Sequence, residues 1–152
     1  MSAASAHERG IDVADRLEIH ALLDRYCHSI DAARGELCAA LFLADATLET
    51  PVGVATGAVA IRAWIDERLS LRDPAIQVRH SPLSVLLAPL DADRVRVRST
   101  LLYTWETLEI PREVDVKSTV IYEDVVRRTP DGWRFASRKC DTRIPLDDVY
   151  FR

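Results

Sequence analysis

The chain has 152 residues, of which 48% are hydrophobic and 29% charged, and 20 Lys and Arg against 24 Asp and Glu leave a formal net charge of −4. That length and balance argue for one domain around one packed core, and exclude disorder and collagen-like structure. There is no basic excess to hold a phosphate backbone, and no apolar run approaches the roughly 20 residues of a membrane span, so neither nucleic acid nor a membrane is expected as a partner.

Residues 1–12 read as a flexible tail, because the Ala/Ser-rich start has neither the cationic head nor the apolar centre of a secretory signal. The domain is then 13–152. Between residues 15 and 33, Ile19, Leu22, Leu23, Tyr26, Cys27 and Ile30 follow the i, i+3, i+4, i+7 spacing, with Arg16, Glu18, Asp24 and Arg25 largely opposite. This predicts an amphipathic helix, which Gly35 is expected to stop as a left-handed cap. Residues 36–43 fit a short second helix with Leu37, Ala40 and Leu41 turned inward. Residues 45–50 predict a short strand broken by Pro51 and Gly53. Thr56 and Gly57 then open a third helix over residues 58–71, with Ile61, Trp64, Ile65 and Leu69 on its buried side.

After Pro74 the periodicity becomes two. Residues 77–87, 94–110, 114–128 and 132–143 are four long strand candidates, separated by Asp91-Ala92-Asp93, Pro111-Arg112-Glu113 and Pro130-Asp131-Gly132. Turns this short join antiparallel neighbours. In the second of these strands Val95, Val97, Ser99, Leu101, Tyr103 and Trp105 share one face, while Arg94, Arg96, Arg98, Thr100, Thr104 and Glu106 share the other. One face is therefore enclosed and one wet, and the arginines of the wet face are expected to meet acids of a neighbouring strand or of a second subunit. Helices followed by a curled antiparallel sheet describe an α+β domain able to enclose an apolar pocket. Cys27, Cys38 and Cys140 are odd in number and far apart, without zinc-like spacing, as suits reduced, mostly buried thiols of a cytoplasmic protein with no metal.

Among the four histidines His7 is in the tail, His20 and His28 lie on the first helix, and His80 sits near the head of a strand lining the enclosed face. A lone half-buried histidine is ordinarily a satisfied core residue. Asp31 bears on that reading: it stands in the last turn of the first helix, one residue past Ile30, where a carboxylate is costly unless paired. A solvated helix-end acid or a cap is the alternative. Brought together in an apolar pocket, the two make a base, with Asp31 holding one ring nitrogen while the other takes a proton. By alternation Tyr103, Ser118 and Tyr122 point with Trp105 into the enclosure, where a hydroxyl can donate to a developing enolate oxygen or simply satisfy a backbone carbonyl. Arg138 shares the alternation of Arg134, Ala136 and Cys140, and a salt bridge at the sheet rim is its plainer reading. Trp133 after Asp131-Gly132 reads as a hairpin anchor. Phosphate loops, nucleophile elbows and paired metal carboxylates are absent.

The run Arg25-Tyr26-Cys27-His28-Ser29-Ile30-Asp31, then Leu41-Phe42-Leu43-Ala44-Asp45-Ala46, Gly57 before Ile61 and Trp64, Arg79-His80, Tyr122-Glu123-Asp124, and Asp131-Gly132-Trp133-Arg134-Phe135 with Arg138 resembles the SnoaL-like branch of the nuclear transport factor 2-like superfamily. The resemblance runs from about Asp15 to Thr142. It implies a cone-shaped barrel of a curled, mainly antiparallel sheet closed by three N-terminal helices. Asp31 and His80 match the base dyad of scytalone dehydratase and hexachlorocyclohexane dehydrochlorinase. Tyr26 falls where relatives put a polar pocket residue, and Arg138 where the dehydrochlorinase has a cation that can draw off a leaving anion. Trp105 stands where the dehydratase pattern has a second pocket histidine, which substitutes an aromatic wall. The resemblance implies a cofactor-free lyase, isomerase or cyclase acting on a mid-sized hydrophobic substrate of polyketide, terpenoid or ring type. The alternative is a non-catalytic small subunit or ligand-binding module like the β subunits of ring-hydroxylating dioxygenases. A homodimer or homotrimer built on the outer sheet face is expected.

Overall fold

Asp12 opens the first helix, α1 (Val13–Asp31), by accepting the Asp15 backbone N–H on its side chain at 2.8 Å. The computed structural model describes residues 10–151, so most of the expected tail, with His7, lies outside the described residues. The stripe read from periodicity is the buried face of α1: Ile19, Leu22, Leu23, Tyr26, Cys27 and Ile30 are all in the core. Fully burying one such aliphatic chain stabilises the fold by about 1.5–3 kcal/mol, which secures the helix irrespective of its ends.

The helix does not end on Gly35. Ala33 takes the left-handed position at φ 55°, and the Arg34 N–H returns to the Ser29 carbonyl at 2.9 Å. Gly35 instead begins α2 (Gly35–Ala39) and is buried where α2 meets α3 (Ala58–Ser70); a Cβ there would stand 2.2 Å from Asp66 Oδ1. The second helix is also shorter than its sequence pattern. Leu37 and Ala40 are exposed, and the inward residues are Cys38 and Leu41. The chain leaves the helix because Leu41 and Phe42 are recruited to the sheet: the Phe135 N–H donates to the Leu41 carbonyl at 2.9 Å, and Phe42 pairs with Phe135.

Strand β1 (Phe42–Thr50) thus starts earlier than its pattern suggests, and it is followed by a short strand, β2 (Gly53–Thr56), where a break alone was expected. Four long strands complete the sheet: β3 (Ile76–Pro89), β4 (Arg94–Thr107), β5 (Val114–Thr129) and β6 (Gly132–Asp141). The spatial order is β2-β1-β6-β5-β4-β3. Among the described residues the β1–β6 pairing is parallel and the other four are antiparallel. The sheet curls without closing, so among the described residues β2 and β3 are its edges. Helix α1 lies against β3 and β6, and α3 against β1 and β2, which roofs the concave face. At the β5–β6 turn Gly132 has φ 97°, a conformation that favours glycine, and Trp133 is buried behind it as an anchor. Of the outer-face arginines Arg98 meets an acid of the neighbouring strand as expected, Glu123 of β5 at 2.6 Å, whereas Arg96 pairs with Asp147 of the segment after β6 and Arg94 with Asp91 of the preceding turn, both at 2.7 Å. Cys27, Cys38 and Cys140 are free thiols. No helix among the described residues is long and apolar enough to cross a membrane.

Candidate active site

Asp31 is the last residue of α1 and His80 lies in edge strand β3, and the packing of that helix end on that strand brings them together. His80 Nδ1 is 2.5 Å from Asp31 Oδ1. The second carboxylate oxygen accepts the backbone N–H of His80 at 2.9 Å, on the side of β3 that no other strand covers among the described residues. Both side chains are largely enclosed, His80 14% and Asp31 10% exposed. A carboxylate can only accept, so it fixes Nδ1 as the donor and leaves Nε2 as the acceptor; an imidazole held this way can take a proton there. Arg72 steadies the helix end, its Nη1 donating to the Ile30 carbonyl at 2.6 Å.

His80 faces a cavity of about 430 Å³ under the helical roof. The His80 ring lies against Tyr103, centroids 4.8 Å apart. Tyr26, Tyr103, Trp105 and Tyr122 line the same space, as the alternation and resemblance anticipate. Burial raises the Tyr26 and Tyr122 phenols well above their ordinary range, so both remain protonated donors. Trp105 is 38% exposed, with the Lys117 ammonium 4.7 Å from its ring centroid, and stands at the cavity's open side rather than in the core. On its other side His80 borders a more polar cleft with Asp24, His28 and Gln77.

Two expected residues stand elsewhere. Ser118 does not line the cavity; its hydroxyl makes an exposed hydrogen bond, donating to the Thr119 carbonyl at 3.3 Å. Arg138 lies beneath the cavity instead of at a rim. It is 2% exposed and donates through Nε and Nη2 to Asp124 at 2.9 and 2.7 Å. Its guanidinium carbon lies 4.0 Å from the centroid of Tyr26 and 4.4 Å from that of Tyr122. Arg138 therefore supports the aromatic floor, and its charge is already paired.

Sequence reasoning missed Arg68, Arg72 and Cys140 of the lining. Trp64 and Arg68 are four apart on α3, and that spacing was a usable signal, since it puts both on the face that covers the cavity. Burial pushes the Cys140 thiol up to about 11, which makes it a neutral wall. Among the described residues no three His, Cys, Asp or Glu side chains converge as a metal site would.

A family model described as a SnoaL-like domain matches residues 12–139. Among solved structures, a protein of unknown function from Mycobacterium tuberculosis is 25% identical at a TM-score of 0.72, over 90% of this chain and 76% of its own. A candidate scytalone dehydratase from Novosphingobium aromaticivorans is 22% identical at 0.71, over 87% and 86%. ActVI-ORFA from Streptomyces coelicolor is 19% identical at 0.74, over 83% and 95%. The last two likenesses concern the fold alone. Among curated proteins none matches the chain.

Proposed function

We propose, because the chain belongs to the SnoaL-like domain family, that it is a lyase, isomerase or cyclase in which His80 is the general base and Asp31 its orienting partner. The observation that carries this reading is the 2.5 Å contact between Nδ1 and the carboxylate at the wall of an aromatic cavity. His80 Nε2 removes a proton from carbon or from a hydroxyl of a mid-sized hydrophobic substrate. Asp31 stabilises the imidazolium that forms, and the Tyr26, Tyr103 and Tyr122 hydroxyls supply donors for developing charge on oxygen. Positioning in the cavity lowers the barrier further, and the step needs no redox equivalent.

The test follows the proton. Ring compounds bearing a hydroxyl or halide are incubated with the protein in deuterated water, and deuterium gain or loss of water or halide is read by mass spectrometry. His80→Ala and Asp31→Asn should each lower the rate by about 10²–10⁴ with an unchanged circular dichroism spectrum. In Asp31→Asn the amide oxygen still accepts the His80 backbone N–H, but the amide nitrogen donates to Nδ1. That moves the ring proton to Nε2 and blocks the base. Full turnover by either variant would refute the assignment. Turnover by neither the variants nor the parent, combined with tight ligand binding, would favour a carrier or accessory subunit.

A further inference from the structure

The cavity has a cation that the base reading leaves unused. From the helical roof Trp64 and Arg68 of α3 line it, with Arg72 just beyond the helix end, while His80, Tyr103 and Trp105 line it from the sheet. Arg72 is committed to backbone, its Nη1 donating to the Ile30 carbonyl at 2.6 Å and reaching that of Asp31 at 3.4 Å. The acid of the lining, Asp73, uses Oδ1 to accept the Ala75 N–H at 2.8 Å.

Arg68 is in a different state. Its Nε is buried without a hydrogen-bond partner. Its ion pair with the adjacent Glu67 spans 3.9 Å, beyond hydrogen-bond reach. The guanidinium lies over the Trp64 ring at 5.4 Å from its centroid, which steadies its plane, and the side chain is 40% exposed, so the fork spans the boundary between cavity and solvent. Nε is closed to solvent and equally closed to a ligand, so the nitrogens a ligand can reach are the outer two, and among the described residues their one ionic contact is the long one to Glu67. A guanidinium fork fits a carboxylate in two parallel bonds.

We propose that Arg68 anchors a carboxylate carried by the ligand at the cavity mouth, so that the substrate class is a ring-bearing carboxylic acid with its apolar body among Trp64, Tyr103 and Trp105. The inference rests on the proposed function only in taking this cavity as the substrate site. Holding the acid group at the roof fixes which carbon or hydroxyl faces His80, which makes Arg68 a specificity determinant.

Naphthoate and its neutral isostere naphthamide, titrated calorimetrically, serve as probes. The unaltered protein should bind naphthoate about tenfold more tightly, the worth of one partly exposed charge-assisted pair. Arg68→Gln should reduce that preference to less than about twofold by weakening naphthoate far more than naphthamide, and Arg68→Lys, which keeps the charge without the fork, should retain part of it. A purely structural role for Arg68 would move both probes together. Equal binding of the two by the unaltered protein, a preference that survives in Arg68→Gln, or no naphthoate binding at millimolar concentration overturns the proposal. His80→Ala should keep the preference. Loss of the base assignment with an intact Arg68 effect, or the reverse, therefore separates the two readings.

Discussion

Arg138 and Asp124 face each other across β6 and β5 with side chains 1% and 0% exposed. Two charges have left water completely, and their attraction only roughly repays that desolvation, so the pair is worth little as a stabiliser while either member alone is a liability. Asp124→Ala should therefore cost about 3–5 kcal/mol of unfolding free energy, and the double variant with Arg138→Met markedly less than the sum. Urea unfolding of the four-protein cycle measures this; additive losses would contradict it. The partnership was not legible beforehand because the β5–β6 register shifts between Val125 and Val126. Two residues of β5 there span three of β6, and the extra residue, Ala136, reverses the inside–outside parity, so that Arg138 joins Phe135 on the concave side. Asp31 and His80 were legible because helical spacing put an acid beside an apolar stripe and the surrounding motifs matched a known pattern. Arg68 was not, because a charged helical residue reads as solvated unless its neighbour four positions back is noticed.

Helix α1 is held at both ends by carboxylates. At its start Asp15 accepts from Trp133 Nε1 at 3.0 Å and from both terminal nitrogens of Arg128, one at 2.7 Å, which ties the helix to the β5–β6 hairpin. The Arg128 hydrogen bonds hold the Asp15 carboxyl below its ordinary range against the opposing pull of burial, and Trp133 adds to the effect. The unfolded chain, with an ordinary aspartate near pH 3.9, binds more protons through that interval, so stability rises with pH across it. The contribution of Asp15 is thus complete above the ordinary aspartate value and is lost as pH falls through the depressed one. Asp15→Asn should lower stability by about 1 kcal/mol near neutrality, a modest figure because Arg128 is partly solvated. The gap to the parent should shrink as urea midpoints are followed down to about pH 2; a constant gap would mean the pairing is not what α1 loses. The long elements α1, α3 and β3 to β6 were readable because each repeats its period over at least three turns or five alternations. The end of α2 and all of β2 were not, because four or five residues carry too little pattern and distant strands decide their state.

At the scale of the molecule, the curvature that makes a cavity comes from irregularities in the ladders. Register shifts fall between Phe42 and Thr47, Pro82 and Ser84, Tyr103 and Thr104, and Val125 and Val126, one in each of the four longer pairings. Each bends its strand and adds twist, so the concave face follows from the strands themselves. The chain after β6 returns over the convex face: Arg98 Nη2 donates to the Ile144 carbonyl at 2.7 Å, Arg96 reaches Asp147, and the Tyr150 hydroxyl donates to Glu123 Oε2 at 2.5 Å. A short 3-10 turn, Asp148–Phe151, finishes against β3. If the ladder shifts set the curl, this strap stabilises the sheet without shaping the site. Truncation after Arg143 should then cost about 1–3 kcal/mol, the worth of a few partly exposed charge-assisted hydrogen bonds, yet leave naphthoate affinity and dyad-dependent turnover within about twofold of the intact protein. Should affinity collapse along with stability, the strap would be part of what curves the sheet, and the cavity would depend on contacts made on its opposite face.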